Sequence, residues 1–430
     1  MLVTDQRTPV VLVCGWQGSS AEQKARVVAQ SLLREGTTIV HHDLSEVSTG
    51  VVRRTLITAN GPIPREKTTI LELAHGCVSC TLREDLLPLL RRLHTRSRVE
   101  RIVLLLDPVL EPEALSWAID NVMIEGMVGH IDGPASLDVR VDATVTCLDA
   151  ATWLSDATSD DTLEERQITA SHDDDRTVAQ VVVGQVAFAD ALVISGDAED
   201  GWEQAKLCAV LSRLAPGAPM AWMGNKPAID AERLLANVPA HSRRGAITDA
   251  HSPMLRGEPP LDSDCGVQIV EYTAQRPFHP GRLHEAIDTL LDGVICTRGR
   301  FWVASQPDQV LWMESAGGGL RIAASGLWLD AMSPAEQGAQ PEDRRAIAAL
   351  RWHPQFGDRD CSMAVLVHDA DPQRITAALD MALLTDTELA LGEKEWATWD
   401  DPFGQWHEDP CEDLAGTDNA VDLTIRKEGP

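Results

Sequence analysis

The first 220 or so residues alternate short apolar runs with segments of helical periodicity, and this alternation restricts the fold more than any other sequence feature. Val10–Cys14 and Ile102–Leu106 are continuous apolar runs, as expected of strands buried on both faces. Leu82–His94 instead has apolar residues at helical spacing, with Arg and His in its last turn. Strands and helices in alternation predict an α/β fold, with a parallel sheet covered by helices on both faces.

From Val267 onwards the pattern changes to a strand, a helix at Pro280–Leu291 and several strands joined by turns, which predicts a smaller α+β domain. Acidic runs, and stretches rich in Pro, Gly and Ser, indicate solvated segments and linkers. The predicted organisation is a first domain at 1–237 with an acidic insertion at 155–175, a linker at 238–264, a second domain at 265–390 and an acidic tail at 391–430.

The charge balance restricts the possible partners. Lys and Arg number 37 against 66 Asp and Glu, for a net charge of −29, so direct DNA binding through phosphate contacts is not expected. No apolar run reaches the roughly 20 residues that a membrane helix needs, and Met1–Pro9 lacks the apolar stretch of a signal peptide. We therefore predict a cytoplasmic protein without membrane association. In that compartment, nine cysteines favour metal or redox roles over disulfides.

Cys77 and Cys80 form a C-x-x-C pair between a predicted strand, Thr68–Leu73, and the helix that follows. Two thiolates at this spacing can face one zinc ion, and His75 and Glu72 lie close enough in sequence to complete the site. The same spacing suits a thioredoxin-like redox pair, and two partly buried cysteines without a ligand are a further alternative. The sequence predicts zinc as the cofactor.

Basic residues concentrate near the end of the predicted helix at 82–94. Such a cluster could contact RNA or an acidic partner, or it could simply complement the helix dipole, and the second interpretation is favoured. The residues are Arg91, Arg92, His94, Arg96, Arg98 and Arg101.

Several motifs together resemble the CobW family of nucleotide-dependent metallochaperones. Gly76-Cys77-Val78-Ser79-Cys80-Thr81-Leu82-Arg83 is similar to the family's Gly-Cys-x-Cys-Cys-Thr-x-Arg signature, with Ser79 where the family has a cysteine. Arg276-Pro-Phe-His-Pro280, Thr297–Trp302 and Asp401–Trp406 occur in the order of the family's C-terminal domain. The resemblance implies a P-loop GTPase-like parallel-sheet domain followed by a CobW-type C-terminal α+β domain.

The nucleotide motifs depart from the family pattern. Gly15 and Gly18 hold the glycine positions of a phosphate loop, but Ala21 stands where Lys is required and Glu22 where Ser or Thr is required. Leu105 replaces the Glu of a second motif, and Ser195–Ala198 lacks the Asn and Lys that read guanine. The phosphate loop is therefore expected to be vestigial and the domain degenerate. GTP is not expected as a cofactor, its hydrolysis is not expected, and its binding is expected to be weak at best.

The resemblance implies two possible functions. The first is a non-enzymatic, zinc-responsive recruitment factor, as in an actinobacterial branch that includes a factor recruiting a hibernation protein to the ribosome when zinc is limiting. Its partners would be that protein or the small ribosomal subunit, with Cys77 and Cys80 sensing the metal. The alternative is a GTP-dependent zinc metallochaperone of the CobW type.

Overall fold

A computed structural model of the chain describes residues 5–17, 20–59, 63–73, 78–168, 174–224, 228–404 and 422–424. The chain divides into two compact units. The first comprises residues up to Ala157 and Asp161–Ile247, and the second comprises Thr158–Asp160 and the chain from Thr248. None of the helices within these described ranges is both long enough and apolar enough to cross a membrane.

The first unit is built on one mixed sheet of eight strands in the order β4-β3-β2-β5-β1-β6-β7-β8. Its strands are β1 Thr8–Gly15, β2 Thr37–Asp43, β3 Val51–Thr58, β4 Arg65–Glu72, β5 Arg101–Leu105, β6 Val139–Asp149, β7 Ala191–Ser195 and β8 Met220–Gly224. Its helices are α1 Ser20–Ser31, α2 Val78–Thr81, α3 Leu87–His94, α4 Pro112–Asn121, α5 Trp153–Ala157, α6 Val178–Ala187, α7 Gly201–Leu214 and α8 Ala231–Ala236.

The predicted parallel sheet with helices on both faces is confirmed for the six strands from β2 to β8 in the sheet order. Alternate residues of β1 enter separate apolar clusters on the two faces: Val10 and Leu12 on one, Val11 and Val13 on the other. The edge strands β3 and β4 are an exception, because both pair antiparallel with their neighbours. The connections from β2 to β3 and from β3 to β4 are too short for the crossover helix that a parallel pair needs.

The second unit contains an antiparallel sheet in the order β14-β12-β11-β10-β13-β9. Its strands are β9 Gln268–Ala274, β10 Val294–Phe301, β11 Gln309–Ala316, β12 Gly319–Leu327, β13 Cys361–Val367 and β14 Asp422–Thr424. Its helices are α9 Pro280–Leu291, α10 Pro334–Ala339, α11 Glu342–Arg351, α12 Pro372–Ala382, α13 Asp386–Leu389 and α14 Glu393–Trp396. Helices α9 and α12 contribute Leu283, Ile287, Ile375 and Leu379 to its apolar core.

Three segments expected to be solvated are folded in part. In the acidic insertion, Leu163 is fully buried and the buried Asp156 lies 3.8 Å from Arg166. The predicted linker divides between the units. Its first part is tied to the first unit, where the Arg244 guanidinium donates to the carbonyl oxygen of Asp142 at 2.8 Å, and Ala250 is buried in the core of the second.

The acidic tail begins later than residue 391. Trp396 of α14 is buried, and Phe403 has no exposed surface and lies edge-on to the ring of Phe301, with centroids 6.3 Å apart. Asp401 accepts hydrogen bonds from the side chains of Ser305 and Gln306. The second unit therefore extends at least to residue 404, because apolar anchors hold a segment that composition alone describes as polar.

Candidate functional site at the carboxyl edge of the first sheet

The carboxyl ends of β1, β2, β5, β6 and β7 meet at one edge of the sheet, because these strands are parallel. Strand β4 is antiparallel to β3, which is antiparallel to β2, so β4 ends at the same edge. The end of β1 at Gly15 and the end of β4 at Glu72 therefore share this edge. In open α/β sheets this is the edge at which ligands bind.

At the start of α1, where a phosphate loop would deliver its backbone N–H groups, the N–H of Ser20 donates to a carboxylate of the protein itself. The carboxylate of Asp149, at the end of β6, accepts from the backbone nitrogen of Ser20 at 3.1 Å and from its hydroxyl at 2.6 Å. The Ser20 hydroxyl is also 2.6 Å from that of Ser195. The negative charge that a helix start attracts is thus supplied by the protein itself.

The residues around this helix start leave no room for a side chain at two glycines, Gly15 and Gly196. A Cβ on Gly15 would lie 2.6 Å from the carbonyl oxygen of Ala21, so the close approach of strand to helix requires glycine. Gly196 has φ +67°, and its Cβ would lie 2.6 Å from a carboxylate oxygen of Asp149. Ser195 and Gly196, which occupy the positions of the family's guanine-reading motif, here accommodate Asp149.

Ala21 and Glu22 make the site unlike a phosphate loop. Ala21 has no exposed surface and belongs to the apolar cluster between α1 and the sheet. Glu22 is half-buried and lies 3.1 Å from Arg26 one turn along the helix. Gly18 lies outside the described residues.

Asp107 adds a buried carboxylate after β5. It accepts hydrogen bonds from the backbone nitrogens of Leu44 at 2.9 Å and Val109 at 3.3 Å. Burial raises the pKa of Asp107 to about 6, the two backbone hydrogen bonds oppose that rise, and Asp43 and Glu22 add to it. The edge is therefore acidic, and Leu105, with 9% exposure, contributes no charge.

The predicted zinc ligands fall partly outside the described residues. Of the four, His75 and Cys77 lie outside, while Glu72 is exposed at the end of β4 and Cys80 is half-buried in α2. Within the described ranges, no three His, Cys, Asp or Glu side chains are grouped so that they could hold a metal ion. The chain places Cys80 in the helix that begins at the same edge as Gly15.

The helix after Cys80 contains a π-helical turn at Leu82–Leu86, a feature that sequence periodicity did not predict. The turn brings Asp85 to His42 of β2, with Nε2 2.8 Å from the carboxylate, and to Arg54 of β3. Burial alone would raise the pKa of Asp85, but hydrogen bonds from His42 and Arg54 lower it below its ordinary value. Sequence reasoning missed this network because its three members lie on separate elements. It ties the helix that carries Cys80 to the sheet.

The two histidines at the end of β2, His41 and His42, have partners in the protein. His42 is 3% exposed and bonds Asp85, while His41 Nδ1 is 3.0 Å from the carbonyl oxygen of Leu105. Burial lowers the pKa of His41, so its neutral form is favoured. Both side chains serve the packing of the sheet edge.

Comparison with known proteins shows the family of the chain. Residues 10–221 match the CobW/HypB/UreG nucleotide-binding domain, and residues 267–383 match the cobalamin synthesis protein cobW C-terminal domain. The chain is 47% identical over 408 residues to "Zinc chaperone Rv0106" of Mycobacterium tuberculosis, covering 95% of this chain and 96% of that protein. The chain belongs to the CobW family.

Two more distant matches follow. "Zinc-regulated GTPase metalloprotein activator 1" of Dictyostelium discoideum is 25% identical over 415 residues, covering 93% of this chain and 84% of that protein. The solved structure of Zn(II)-bound YjiA GTPase from E. coli matches with a TM-score of 0.35 and 13% identity, covering 88% of this chain and 99% of that one. The names of the Mycobacterium tuberculosis and Dictyostelium discoideum relatives refer to zinc, and neither refers to ribosome hibernation.

Proposed function

We propose that this CobW protein is a zinc chaperone that binds one zinc ion through Cys77 and Cys80 and passes it to a client protein. The supporting observation is the 47% identity, over 95% of the chain, to a protein named a zinc chaperone. Of the two functions that the sequence suggested, the metallochaperone is therefore better supported than recruitment to the ribosome.

The chemistry of the cysteine segment suits transient binding. Cys80 lies in the first turns of a helix, and positive potential at a helix start stabilises thiolates, which are the forms that bind zinc. Glu72 ends the adjoining strand at the same edge and supplies a carboxylate. Ser79 leaves two thiolates where the family signature has three cysteines, so the ion is held less tightly and transfers more readily.

Zinc titration against a chromogenic chelator tests this proposal. The wild type should bind one zinc per chain, and binding should weaken as pH falls because protons compete for the thiolates. The double variant Cys77→Ser, Cys80→Ser should lose the ion. Cys208→Ser, which changes a half-buried cysteine of the same unit, should keep it. Unchanged stoichiometry in the double variant would show that the zinc site lies elsewhere.

The expected absence of GTP has no support from the comparisons, because the nucleotide-binding domain matches over residues 10–221 and one relative is named a GTPase. The expectation depends on residues of this chain alone, Ala21 and Glu22. We propose that GTP binds weakly, since Ala21 supplies no charge to the β- and γ-phosphates and Glu22 repels them. Zinc binding then does not require nucleotide hydrolysis.

The nucleotide proposal has its own test. Titration with a fluorescent GTP analogue, with and without magnesium, should give weak binding to the wild type. The double variant Ala21→Lys, Glu22→Thr should bind at least ~10-fold more tightly, whereas Glu22→Gln, which removes only the repulsion, should improve binding less. Magnesium-dependent hydrolysis by the wild type that is lost on substitution of Gly18 would contradict the proposal and leave the zinc result unaffected.

A further inference from the structure

Large apolar side chains are exposed along the segment between α4 and β6. Val128 is 100% exposed and Ile131 is 81% exposed, with Met123 at 59% and Leu137 at 51%. Trp117 of α4, which leads into the segment, is 51% exposed. Single exposed apolar residues are ordinary on a protein surface, but several on one short segment are typical of an interaction site.

The segment is held in a defined conformation. Ile124 and Gly133 exchange both backbone hydrogen bonds, at 3.2 and 3.1 Å, and close a loop over residues 125–132. Gly126 and Gly129 have φ +69° and +82°, which the turns at the tip require. The buried Ile124 anchors the loop to the core.

Arg91, from the last turns of α3, clamps the same loop from inside. Its guanidinium donates to the carbonyl oxygens of Ile131 at 2.7 Å and Gly133 at 3.0 Å, and to the carboxylate of Asp138 at 2.7 Å. Arg91 is 1% exposed, so of the basic residues at this helix end it is one that supports the loop from inside and is not available to a partner. His130 also approaches Asp138, at 3.3 Å. A rigid loop loses little conformational entropy on binding.

The charged residues of the segment indicate what kind of partner it would bind. Between Trp117 and Leu137 the sequence has three carboxylates, at Asp120, Glu125 and Asp132, and neither Lys nor Arg. We propose that this segment, residues 117–137, docks a protein that presents an apolar surface, such as one face of an amphipathic helix, edged by lysines and arginines. The apolar side chains would pack on that surface and the carboxylates would meet its basic rim, as in interfaces with an apolar core and polar margin.

The same charges disfavour two other occupants. A second copy of the chain brings another net charge of −29 and the same three carboxylates. An anionic membrane surface attracts apolar segments that carry basic residues, and this segment has none between Trp117 and Leu137.

The loop lies at the amino edge of the sheet, opposite the candidate zinc motif. It precedes β6 directly, and the backbone nitrogen of Thr8, at the start of β1, donates to the carbonyl oxygen of Asp138 at 2.9 Å. The helical segment from Val78 to His94 spans about 25 Å between the two edges. A partner docked on the loop therefore leaves the carboxyl edge accessible, and the docking proposal does not depend on the zinc proposal.

Peptide binding to the full-length protein tests the docking surface. The probe is an amphipathic helical peptide with a leucine face and a lysine face, measured by fluorescence anisotropy beside the same peptide with glutamate in place of lysine. The lysine peptide should bind, more weakly as salt rises, and the glutamate peptide should not. The double variant Val128→Asn, Ile131→Asn leaves the net charge unchanged and should reduce affinity at least ~10-fold.

Two control variants separate apolar docking from attraction to an acidic protein. Leu350→Asn, at an 88% exposed leucine of the second unit, should leave affinity unchanged, and Glu125→Gln should reduce it modestly. Equal binding of both peptides, or equal loss in the Leu350→Asn and loop variants, would overturn the proposal. So would a dimer in sedimentation that the loop variant dissociates, or capture by phosphatidylserine vesicles that the loop variant abolishes.

Discussion

Replacing Arg91 by methionine should destabilise the first unit by ~3–5 kcal/mol, the usual cost of removing one partner of a buried ion pair. Its guanidinium makes one ion pair and two hydrogen bonds to carbonyl oxygens while being 1% exposed, so all three acceptors lose their donor together. A typical domain has only ~5–15 kcal/mol of stability, so this loss is a large fraction of the total.

Thiol labelling in urea, resolved by mass spectrometry of the peptides, measures the effect on each unit. Cys14 and Cys147 are buried in the sheet of the first unit, and burial raises the pKa of the Cys14 thiol to about 12, so both react only on unfolding. Cys361 reports the second unit in the same way. The variant should label Cys14 and Cys147 at lower urea than the wild type, with Cys361 unchanged.

The neighbouring arginine provides the matched control. The Arg92 side chain is 51% exposed and its guanidinium lies 4.0 Å from Asp85, so Arg92→Met should cost less than ~1 kcal/mol. Combining Arg91→Met with Asp138→Leu should cost less than the sum of the two single changes, because each removes the same contact. An effect of Arg91→Met no larger than that of Arg92→Met would refute the reasoning.

Three further predictions concern stability. Burial raises the native pKa of Asp107 to about 6 from 3.8, so this carboxyl lowers the free energy of unfolding by about 3 kcal/mol as pH rises from about 4 to about 7. Urea unfolding of Asp107→Asn should lack this loss, and the variant should become more stable relative to the wild type over that range. Phe403→Ala should cost ~3–5 kcal/mol in the second unit, read from Cys361 labelling, whereas a solvated tail would lose nothing. Thr177→Ala removes the capping box that begins α6 and should lower the urea midpoint of the first unit by the equivalent of ~1 kcal/mol.

The strands and helices of the fold were predictable where they carry a strong local pattern. Pro280–Leu291 has the bounds that the sequence predicted, and the apolar runs Val10–Cys14 and Ile102–Leu106 agree with β1 and β5 to within two residues at each end. The helices of the second unit at 334–339 and 342–351 were not predicted: none of their residues is buried, so they lack the apolar stripe that reveals a helix.

The candidate site was predictable in residue type and less so in arrangement. The choice of Cys77 and Cys80 as zinc ligands, made from their spacing, stays a prediction, and of the two Cys80 lies in the helix that begins at the carboxyl edge. The contact of Asp149 with Ser20 joins residues 129 apart, and the bond of His42 to Asp85 joins residues 43 apart. Single-sequence patterns contain no information on such pairs, which depend on the packing of separate elements.

The carboxylate at the start of α1 also bears on how the first unit responds to ligands. A fold whose helix start is empty gains stability in proportion to the concentration of the anion that fills it. Here Asp149 already fills that position from within the chain, at a concentration that never changes. We expect the melting temperature of the first unit to rise only slightly with phosphate or nucleotide, so the supply of nucleotide in the cell would have little effect on how much of the protein is folded.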